Sequence, residues 1–259
     1  MNNALKETER KKGASLVNDG VSSSLFLIML SVISVMSLIT SFVTAEPEGM
    51  SIVSNFTESK QTASPDNRSD EGGTITTLGV DFTQQNDYWK AYVGNITGTL
   101  VLQDASGYSI YQWELESTDL TGEVYVSRQM EPSWTSIECS NETVLASEDT
   151  YMGFSSASAY SINRTFNETK HPELIVGSVT IPSDSCRSTS TYVNDSVQAQ
   201  ASADFPVVLL ASETDVVYAS PINQGSDSYR TGAKVDFQIM IPDKVDATTT
   251  YYFFAEIAD

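Results

Sequence analysis

In residues 109–116, Ser109-Ile-Tyr-Gln-Trp-Glu-Leu-Glu116, apolar and polar side chains alternate from Tyr111 onward, and this alternation decides the predicted fold. Tyr111, Trp113 and Leu115 would share one face of an extended chain, while amide and carboxylate side chains occupy the other. A period of two is typical of an antiparallel strand with one buried and one wet face. The stretch therefore predicts a half-buried β-strand that places Tyr111 and Trp113 in the core.

The same period of two recurs from about Gly79 to the C-terminus, in runs rich in β-branched and aromatic residues. Three stretches that begin with Asp or Asn and contain glycine, 104–107, 119–122 and 223–226, predict tight turns between such runs. The predicted strands are 88–93, 97–103, 109–116, 123–128, 134–139, 174–181, 206–211, 216–220, 234–241 and 249–257.

One interval, from Ser140 to Phe154, lacks the β pattern. Ser140, with Glu142 and Thr143, predicts the capped start of a short helix there. Many short strands with one helix indicate a mainly β fold. We predict an antiparallel two-sheet β-sandwich-like ectodomain over residues 79–259, with one short helix, preceded by an N-terminal transmembrane or signal helix.

An uncharged apolar run of 19 residues, 25–43, carries the membrane prediction. As a helix it is roughly 28 Å long at about 1.5 Å per residue, which matches a bilayer core. Basic residues precede the run and acidic residues follow it, so the positive-inside rule predicts export of everything after it. We assign residues 1–24 to a basic cytoplasmic N-terminus and residues 25–45 to a transmembrane or signal segment.

The fate of that segment has three alternatives. A retained anchor fits the length of the run, whereas small residues at Val43-Thr44-Ala45 also suit signal peptidase cleavage after Ala45. A pilin-type leader cut after Gly13 is the third alternative. Anchoring and cleavage after Ala45 leave the same ectodomain outside the cell. The next residues, 46–78, are rich in Ser, Asp, Glu, Gly and Pro, which predicts a flexible, acidic, glycosylated tether.

Asparagine usage supports export independently. Of the nine asparagines after residue 45, seven stand in Asn-x-Ser/Thr sequons. Such acceptors are glycosylated only on secreted or surface chains, so we predict a glycoprotein. No sequon follows residue 200, and the prediction is that Ala201 onward forms a bare face where a partner docks. The sequon asparagines are Asn55, Asn67, Asn95, Asn141, Asn163, Asn167 and Asn194.

The two cysteines, Cys139 and Cys186, both fall in the predicted exported region, where disulfides form and persist. A bond between them is the simplest interpretation. It would close a loop of about 48 residues, which corresponds to roughly 4 kcal/mol of stabilisation through chain entropy. Two free thiols or intermolecular bridges are the alternatives.

Charge and motif content bear on partners and chemistry. The formal net charge is −20, and since the first 45 residues hold four basic and three acidic side chains, the remainder carries −21. This negative charge repels the phosphate backbone of nucleic acids, so we expect no nucleic-acid partner. No calcium-binding loop motif, HExxH motif or Gly-x-Ser-x-Gly motif occurs, although a weak calcium site among the carboxylates is an alternative. We expect no metal, no cofactor and no enzymatic activity.

Two further expectations concern single residue types. The only histidine, His171, precedes a proline and is expected to be a solvated loop residue. Trp89, Trp113 and Trp134, with neighbouring tyrosines, could form a sugar-stacking surface. Core burial is the competing interpretation, favoured for Trp113, whereas Trp89 is expected to be more open.

The runs 92–100, 102–106, 122–125, 236–239 and 251–254 resemble a group of archaeal secreted or cell-surface β-rich proteins. The resemblance covers about residues 80–257. It implies export, an N-terminal hydrophobic segment, a cysteine pair at Cys139 and Cys186, and a final aromatic strand. It implies no activity.

We therefore predict a cell-surface or secreted glycoprotein, with a single membrane pass and the C-terminus outside if the anchor is retained. Its expected role is structural, adhesive or recognition, without catalysis. Expected partners are the membrane, through the N-terminal helix, and other surface proteins or glycans. One alternative is a homo-oligomeric filament or pilus-like subunit in which residues 51–56 pair with a neighbour's sheet edge. Another is a polysaccharide-binding protein or a polysaccharide-degrading enzyme with two carboxylates.

Overall fold

The computed structural model describes residues 46–62, 64–113 and 120–258. This part is mainly β, with several antiparallel sheets and one helix longer than a single turn. Within it, no helix has the length and apolar character needed to cross a bilayer. The predicted cytoplasmic residues 1–24 and the predicted membrane or signal segment 25–45 lie outside the described residues.

The strands are short, and they are numbered here in chain order. They are β1 (Glu48–Gly49), β2 (Trp89–Gly94), β3 (Leu100–Gln103), β4 (Ser109–Trp113), β5 (Thr121–Ser127), β6 (Ile137–Cys139), β7 (Leu174–Val176), β8 (Val179–Ile181), β9 (Ser188–Ser190), β10 (Pro206–Ser212), β11 (Asp215–Pro221), β12 (Ser226–Asp227), β13 (Lys234–Val235), β14 (Phe237–Pro242) and β15 (Tyr252–Ala258). The helices are α1 (Glu142–Met152) and α2 (Ile162–Thr165), with 3₁₀ turns at Trp134–Ser136 and Gln200–Ser202.

Seven strands form the main sheet, in the order β1-β15-β5-β11-β10-β6, with β9 also paired to β10. Every pairing in it is antiparallel. Strand β10 shows why this sheet is the centre of the molecule, since all seven of its residues are buried. Val207 and Leu209 pack into one apolar cluster, whereas Val208 and Leu210 pack into another on the opposite face. A strand covered on both faces carries a continuous apolar run and no alternation.

Different elements cover the two faces of the main sheet. On one face lie α1, α2 and the two-stranded sheet β2–β14, which contribute Leu145, Ile162 and Ile239 to the core. On the other lie the 3₁₀ turn with Trp134 and the β7–β8 hairpin with Leu174. The second sheet of the predicted sandwich is therefore reduced to two strands, and helices complete that layer.

The predicted helix is confirmed as α1, and its cap is one residue later than expected. The Asn141 side chain accepts hydrogen bonds from the backbone N–H groups of Thr143 and Val144, so Asn141 and not Ser140 is the N-cap. Gly153 ends the helix in the left-handed region, with φ of 77°, where a side chain would be strained.

Several predicted strands are divided in the structure. The predicted strand 174–181 is a tight hairpin, β7–β8, because the chain turns at Gly177 with φ of 56°. The predicted strand 134–139 begins as a 3₁₀ turn, and only Ile137–Cys139 pairs with β10. Aromatic and β-branched content correctly predicted strand structure in part of both stretches. It did not predict where the chain turns, because that depends on backbone geometry.

The disulfide between Cys139 and Cys186 is present, as predicted, with a Cα–Cα distance of 5.0 Å. Cys139 ends β6, which pairs with one half of β10, and Cys186 lies two residues before β9, which pairs with the other half. Leu209 lies between the halves, and its N–H donates to Arg187 while its carbonyl accepts from Ser140. The disulfide therefore joins two short strands end to end along one edge of the sheet.

The predicted tether begins on the opposite edge. Glu48 and Gly49 pair with Ala255 and Phe254 of β15, so the first described residues form an edge strand. Beyond Met50, residues 51–62 and 64–87 are exposed and contain no strand. Lys60 forms an ion pair with Asp87 at 2.8 Å within this segment. The chain thus leaves the sheet edge, runs exposed for more than thirty residues and returns at β2.

Candidate functional site

All seven sequon asparagines are exposed on the surface. Two lie in the strand-free segment before β2, and the others lie in loops or at a helix start, away from the buried central strands. Exposure is what attachment of a bulky sugar requires. Asn223, which is not in a sequon, is by contrast partly buried.

The hydrogen bonds of these asparagines leave room for a sugar. Asn141 uses only its side-chain oxygen to cap α1, so its Nδ2 stays available. Asn194 donates from Nδ2 to Asp227 at 3.0 Å, and Asn163 donates from Nδ2 to Glu142 at 3.4 Å. An N-linked sugar replaces one of the two Nδ2 hydrogens. The remaining hydrogen can still donate to Asp227 from Asn194, or to Glu142 from Asn163.

The predicted bare face after residue 200 is wrong. Three strands of this part of the sequence, β10, β11 and β15, enter the main sheet, where the residues of β10 and the middle of β11 are buried. Sequons are missing there because core strands carry few asparagines, so their absence marks the interior and not a docking surface.

His171 is also placed differently from the prediction. It is buried at 6% exposure, and its Nε2 accepts hydrogen bonds from the backbone N–H groups of Ser185 and Cys186 at 3.1 and 2.9 Å. Its Nδ1 lies 2.6 Å from the carbonyl of Pro172, which fits a neutral ring with the proton on Nδ1. His171 therefore holds the loop that carries Cys186 and has a structural role.

The tryptophans reverse the predicted order of exposure. Trp134 is buried, and Trp89 is half-buried against Phe154, with its Nε1 donating to the carbonyl of Tyr160 at 2.9 Å. Trp113 and Tyr111, predicted to be core residues, are instead exposed. Among the described residues, their strand β4 pairs only with β3 and is not part of the main sheet. Alternation correctly predicted a strand with one apolar face, but nothing in the described part of the chain covers that face.

This two-stranded element, residues 100–113, is named the aromatic ribbon. Leu100 lies opposite Trp113 and Leu102 lies opposite Tyr111, so four apolar side chains share one face. Each of the four is between 42% and 59% exposed. The rings of Tyr111 and Trp113 meet edge to face, with centroids 5.0 Å apart. Exposed apolar faces of this kind are candidate interaction sites.

The turn of the aromatic ribbon is well formed. The Asp104 carboxylate accepts hydrogen bonds from the N–H groups of Ser106 and Tyr108, and Gly107 supplies a left-handed residue with φ of 84°. The predicted turn at 104–107 is thereby confirmed. Beside it lies a shallow depression of about 470 Å³ lined in part by Leu102, Tyr108 and Ile110. This depression is large enough to receive a partner's side chain.

The aromatic ribbon is nearly uncharged in a strongly acidic chain. Between residues 95 and 113 the only charged side chain is Asp104, while the whole chain carries −20. Depletion of charge together with exposed Tyr and Trp is the composition of an interface core. Just before the ribbon, Gly98 lies close against β15, because a Cβ there would lie 2.5 Å from the Ile257 side chain.

A second unusual site is a buried pair of carboxyl groups. Glu123 of β5 and Glu256 of β15 lie directly opposite each other and are 7% and 6% exposed. The hydroxyl of Tyr125 lies 3.5 Å from a carboxyl oxygen of each. The N–H of Gly177, in the β7–β8 turn, donates to both oxygens of Glu256 at 3.1 and 2.9 Å. Sequence did not reveal this pair, because it depends on strand register.

Burial raises the pKa of Glu123 to about 7, and the neighbouring Glu256 carboxyl adds to this effect. Burial also raises the pKa of Glu256. The hydrogen bond from the N–H of Gly177 acts in the opposite direction, because it stabilises the ionised carboxylate. Since more than nine-tenths of each residue is buried, a polysaccharide chain has no access to the pair. We interpret the pair as a structural group in which burial raises the pKa of both carboxyls. In the described ranges, no cluster of His, Cys, Asp and Glu is suited to hold a metal ion.

Comparisons with protein-family models, curated proteins and solved structures find no match for this chain. Function is therefore inferred from the surface and the sites of this molecule alone.

Proposed function

We propose that this protein is a cell-surface or secreted glycoprotein that presents the aromatic ribbon to a partner in adhesion or recognition. The uncovered, uncharged face formed by Leu100, Leu102, Tyr111 and Trp113 carries the proposal. Its Tyr111 and Trp113 are of the residue types that contribute most of the binding energy at protein interfaces. No nucleic acid is among the proposed partners, since the chain carries −20.

Export is supported by three independent features. The disulfide closes within the domain, as is typical of oxidising compartments. All seven sequon asparagines are exposed, and the apolar run 25–43 is long enough to anchor or export the chain. Under this proposal residues 25–45 serve as the membrane anchor or the signal, and the chain is related to archaeal surface proteins. We further propose that it has no catalytic activity and needs no cofactor.

Intact-glycopeptide mass spectrometry on membrane and medium fractions of native cells tests the export proposal. We expect glycopeptides that contain Asn95 and Asn141, for example, while Asn86, which is exposed but lacks a sequon, stays unmodified. Thr97→Ala should remove the Asn95 glycan alone. Recovery of the chain in the cytoplasm with every sequon bare would overturn the proposal. N-terminal peptides from the same samples distinguish a retained anchor from cleavage after Ala45.

Binding of purified protein to intact cells tests the role of the aromatic ribbon. Trp113→Ser and Tyr111→Ser should each weaken retention on cells by tenfold or more, as expected for hot-spot aromatics. Tyr192→Ser is the matched control, because Tyr192 is a similarly exposed tyrosine outside the ribbon. Equal retention of all three variants and the wild type would contradict the assignment of the ribbon as the contact surface.

Polysaccharide binding is the second candidate function, favoured by the exposure of Tyr108, Tyr111 and Trp113. The ring geometry argues against polysaccharide binding, because the planes of Tyr111 and Trp113 meet at 72° and do not form one flat stacking platform. Glycan arrays decide between the candidates. Binding that Trp113→Ser abolishes would favour a sugar partner, and product release from a bound glycan would contradict the absence of catalysis.

A further inference from the structure

We propose that residues 75–82 of one copy of this chain add as an extra strand to the aromatic ribbon of a second copy. This inference rests on the proposed function, because it names the partner of the surface-exposed ribbon. It uses two features of the same chain, an apolar strand-like segment without a strand partner and a ribbon with free edges.

The aromatic ribbon is an incomplete sheet. Strands β3 and β4 pair only with each other, so the outer backbone edge of each has no strand beside it in the described part of the chain. A two-stranded hairpin is marginal in water, and a third strand is what usually stabilises it. The exposed face formed by Leu100, Leu102, Tyr111 and Trp113 would gain apolar neighbours from such a strand.

Residues 75–82, Ile75-Thr-Thr-Leu-Gly-Val-Asp-Phe82, have the pattern of the missing strand. Leu78, Val80 and Phe82 alternate with Gly79 and Asp81, as expected for a strand with one buried face. In the structure they belong to no strand, and their side chains are between 59% and 85% exposed. The segment is named the donor segment.

The donor segment and the aromatic ribbon match in length and charge. Eight residues extend roughly 26 Å at about 3.3 Å per residue, enough to span a ribbon strand of four or five residues. Asp81 is the only charged residue of the donor segment, and Asp104 is the only one of the ribbon. Elsewhere two copies would repel each other, because each carries −20. Contact between copies is therefore less unfavourable where these two elements, with one acidic side chain each, meet.

Donation between copies follows from where the donor segment lies. Within one copy its apolar side chains are exposed, and Ile75 is fully so, which shows that it does not pack on its own ribbon. A copy that donates to a second copy keeps its own ribbon free for a third. Such a contact is heterologous and propagates into a chain of copies unless it closes into a ring.

Complementation between two variants of the full-length, detergent-solubilised protein tests the proposal. Val80→Asp places a charge in the donor segment, and Leu102→Asp places one on the face of the ribbon. Each variant alone should be monomeric by light scattering coupled to size exclusion, where the wild type forms assemblies of two or more copies. Mixed in equal amounts, the variants should form a dimer, because one supplies an intact ribbon and the other an intact donor segment.

Val53→Asp is the matched control, since Val53 is an equally exposed valine of the same strand-free segment. It should assemble like the wild type. If Val53→Asp and not Val80→Asp abolishes assembly, residues around 51–56 are the donor and the proposal is overturned. A monomeric wild type, failure of the mixture to form a dimer, or glycan binding by the ribbon without assembly would also overturn it.

Two safeguards keep the test decisive. Tyr111→Asp repeats the ribbon perturbation at a second site, and a cooperative urea unfolding transition like that of the wild type shows that the domain of each variant is folded. Failure of this inference is distinct from failure of the proposed function. A glycosylated, exported monomer would contradict only the strand donation, whereas an unexported, unglycosylated assembly would contradict only the surface role.

Discussion

Replacing one buried carboxyl group should change how the stability of this protein depends on pH. Glu123→Gln keeps the size of the side chain and an oxygen able to accept the N–H of Ile175, but it cannot ionise. Burial raises the pKa of Glu123 to about 7, so the folded protein holds this proton far more tightly than the unfolded chain, where the pKa is 4.5. The substitution removes that difference.

The sign of the effect follows from proton linkage. Below pH 4.5 both states of the wild type hold the proton, and the stability attributable to Glu123 is fully present. As the pH rises from 4.5 to about 7, the unfolded chain ionises first and the free energy of unfolding falls. Over this pH interval the free energy of unfolding falls by about 3 kcal/mol, since each pH unit corresponds to about 1.4 kcal/mol. Glu123→Gln should therefore be more stable than the wild type by about 3 kcal/mol at pH 8 and nearly equal to it at pH 4.5.

Urea denaturation of the wild type and the variant at pH 4.5, 6 and 8 measures this difference. The titrations of Asp184 and Asp227 fall outside this pH range, because ion pairs lower the pKa of each carboxyl below 3.8. Glu131→Gln, the same change at an exposed position, is the control and should follow the wild type at every pH. Parallel stability curves for Glu123→Gln and the wild type between pH 4.5 and 8 would refute the reasoning.

Three further substitutions test the structural roles of named groups. Replacing Cys139 and Cys186 together by serine should lower the free energy of unfolding by about 4 kcal/mol, measured by urea denaturation, with no further change on adding reductant. His171→Ala should cost about 1–3 kcal/mol, because two buried N–H groups lose their acceptor; an unchanged urea midpoint would contradict this. In unglycosylated protein, Asn141→Ala should cost about 1 kcal/mol through loss of the helix cap, while Thr143→Ala, which removes only the sequon, leaves thermal stability unchanged.

Local sequence predicted much of the fold. Positions of most strands, the helix before Gly153 and the turn at 104–107 follow from periodicity, capping and turn chemistry, which are properties of neighbouring residues. The Cys139–Cys186 bond also followed, since a chain with only two cysteines allows a single intramolecular pairing. These inferences needed no knowledge of which strand lies beside which.

The errors share one cause, which is that a pattern does not say what covers it. Local context favoured burial of Trp113 over Trp89, yet β4 remains uncovered while β2 packs on the main sheet through β14. His171 is in a loop, but the disulfide brings two N–H groups to its ring. Burial in each case depends on contacts between residues distant in sequence.

The candidate site divides in the same way. Exposure of the sequon asparagines was predictable, because the sequons fall outside the predicted strands and connecting loops lie on the protein surface. The two strands of the aromatic ribbon were predicted, but Tyr111 and Trp113 were expected in the core, with a sugar-stacking surface as the alternative, and the Glu123–Glu256 pair was not predicted. Its two members are 133 residues apart and become neighbours only through the register of β5 and β15.

The sequence by itself determined that this chain is mainly β, acidic, disulfide-bonded and rich in glycosylation acceptors, because these properties depend on composition and on residues close along the chain. Only the tertiary structure decided which apolar faces are buried. Strands β10 and β11 are covered on both faces, whereas the aromatic ribbon keeps one face open to solvent. The physical reason is that hydrophobic burial depends on the elements that pack together, and that packing is set by the whole chain.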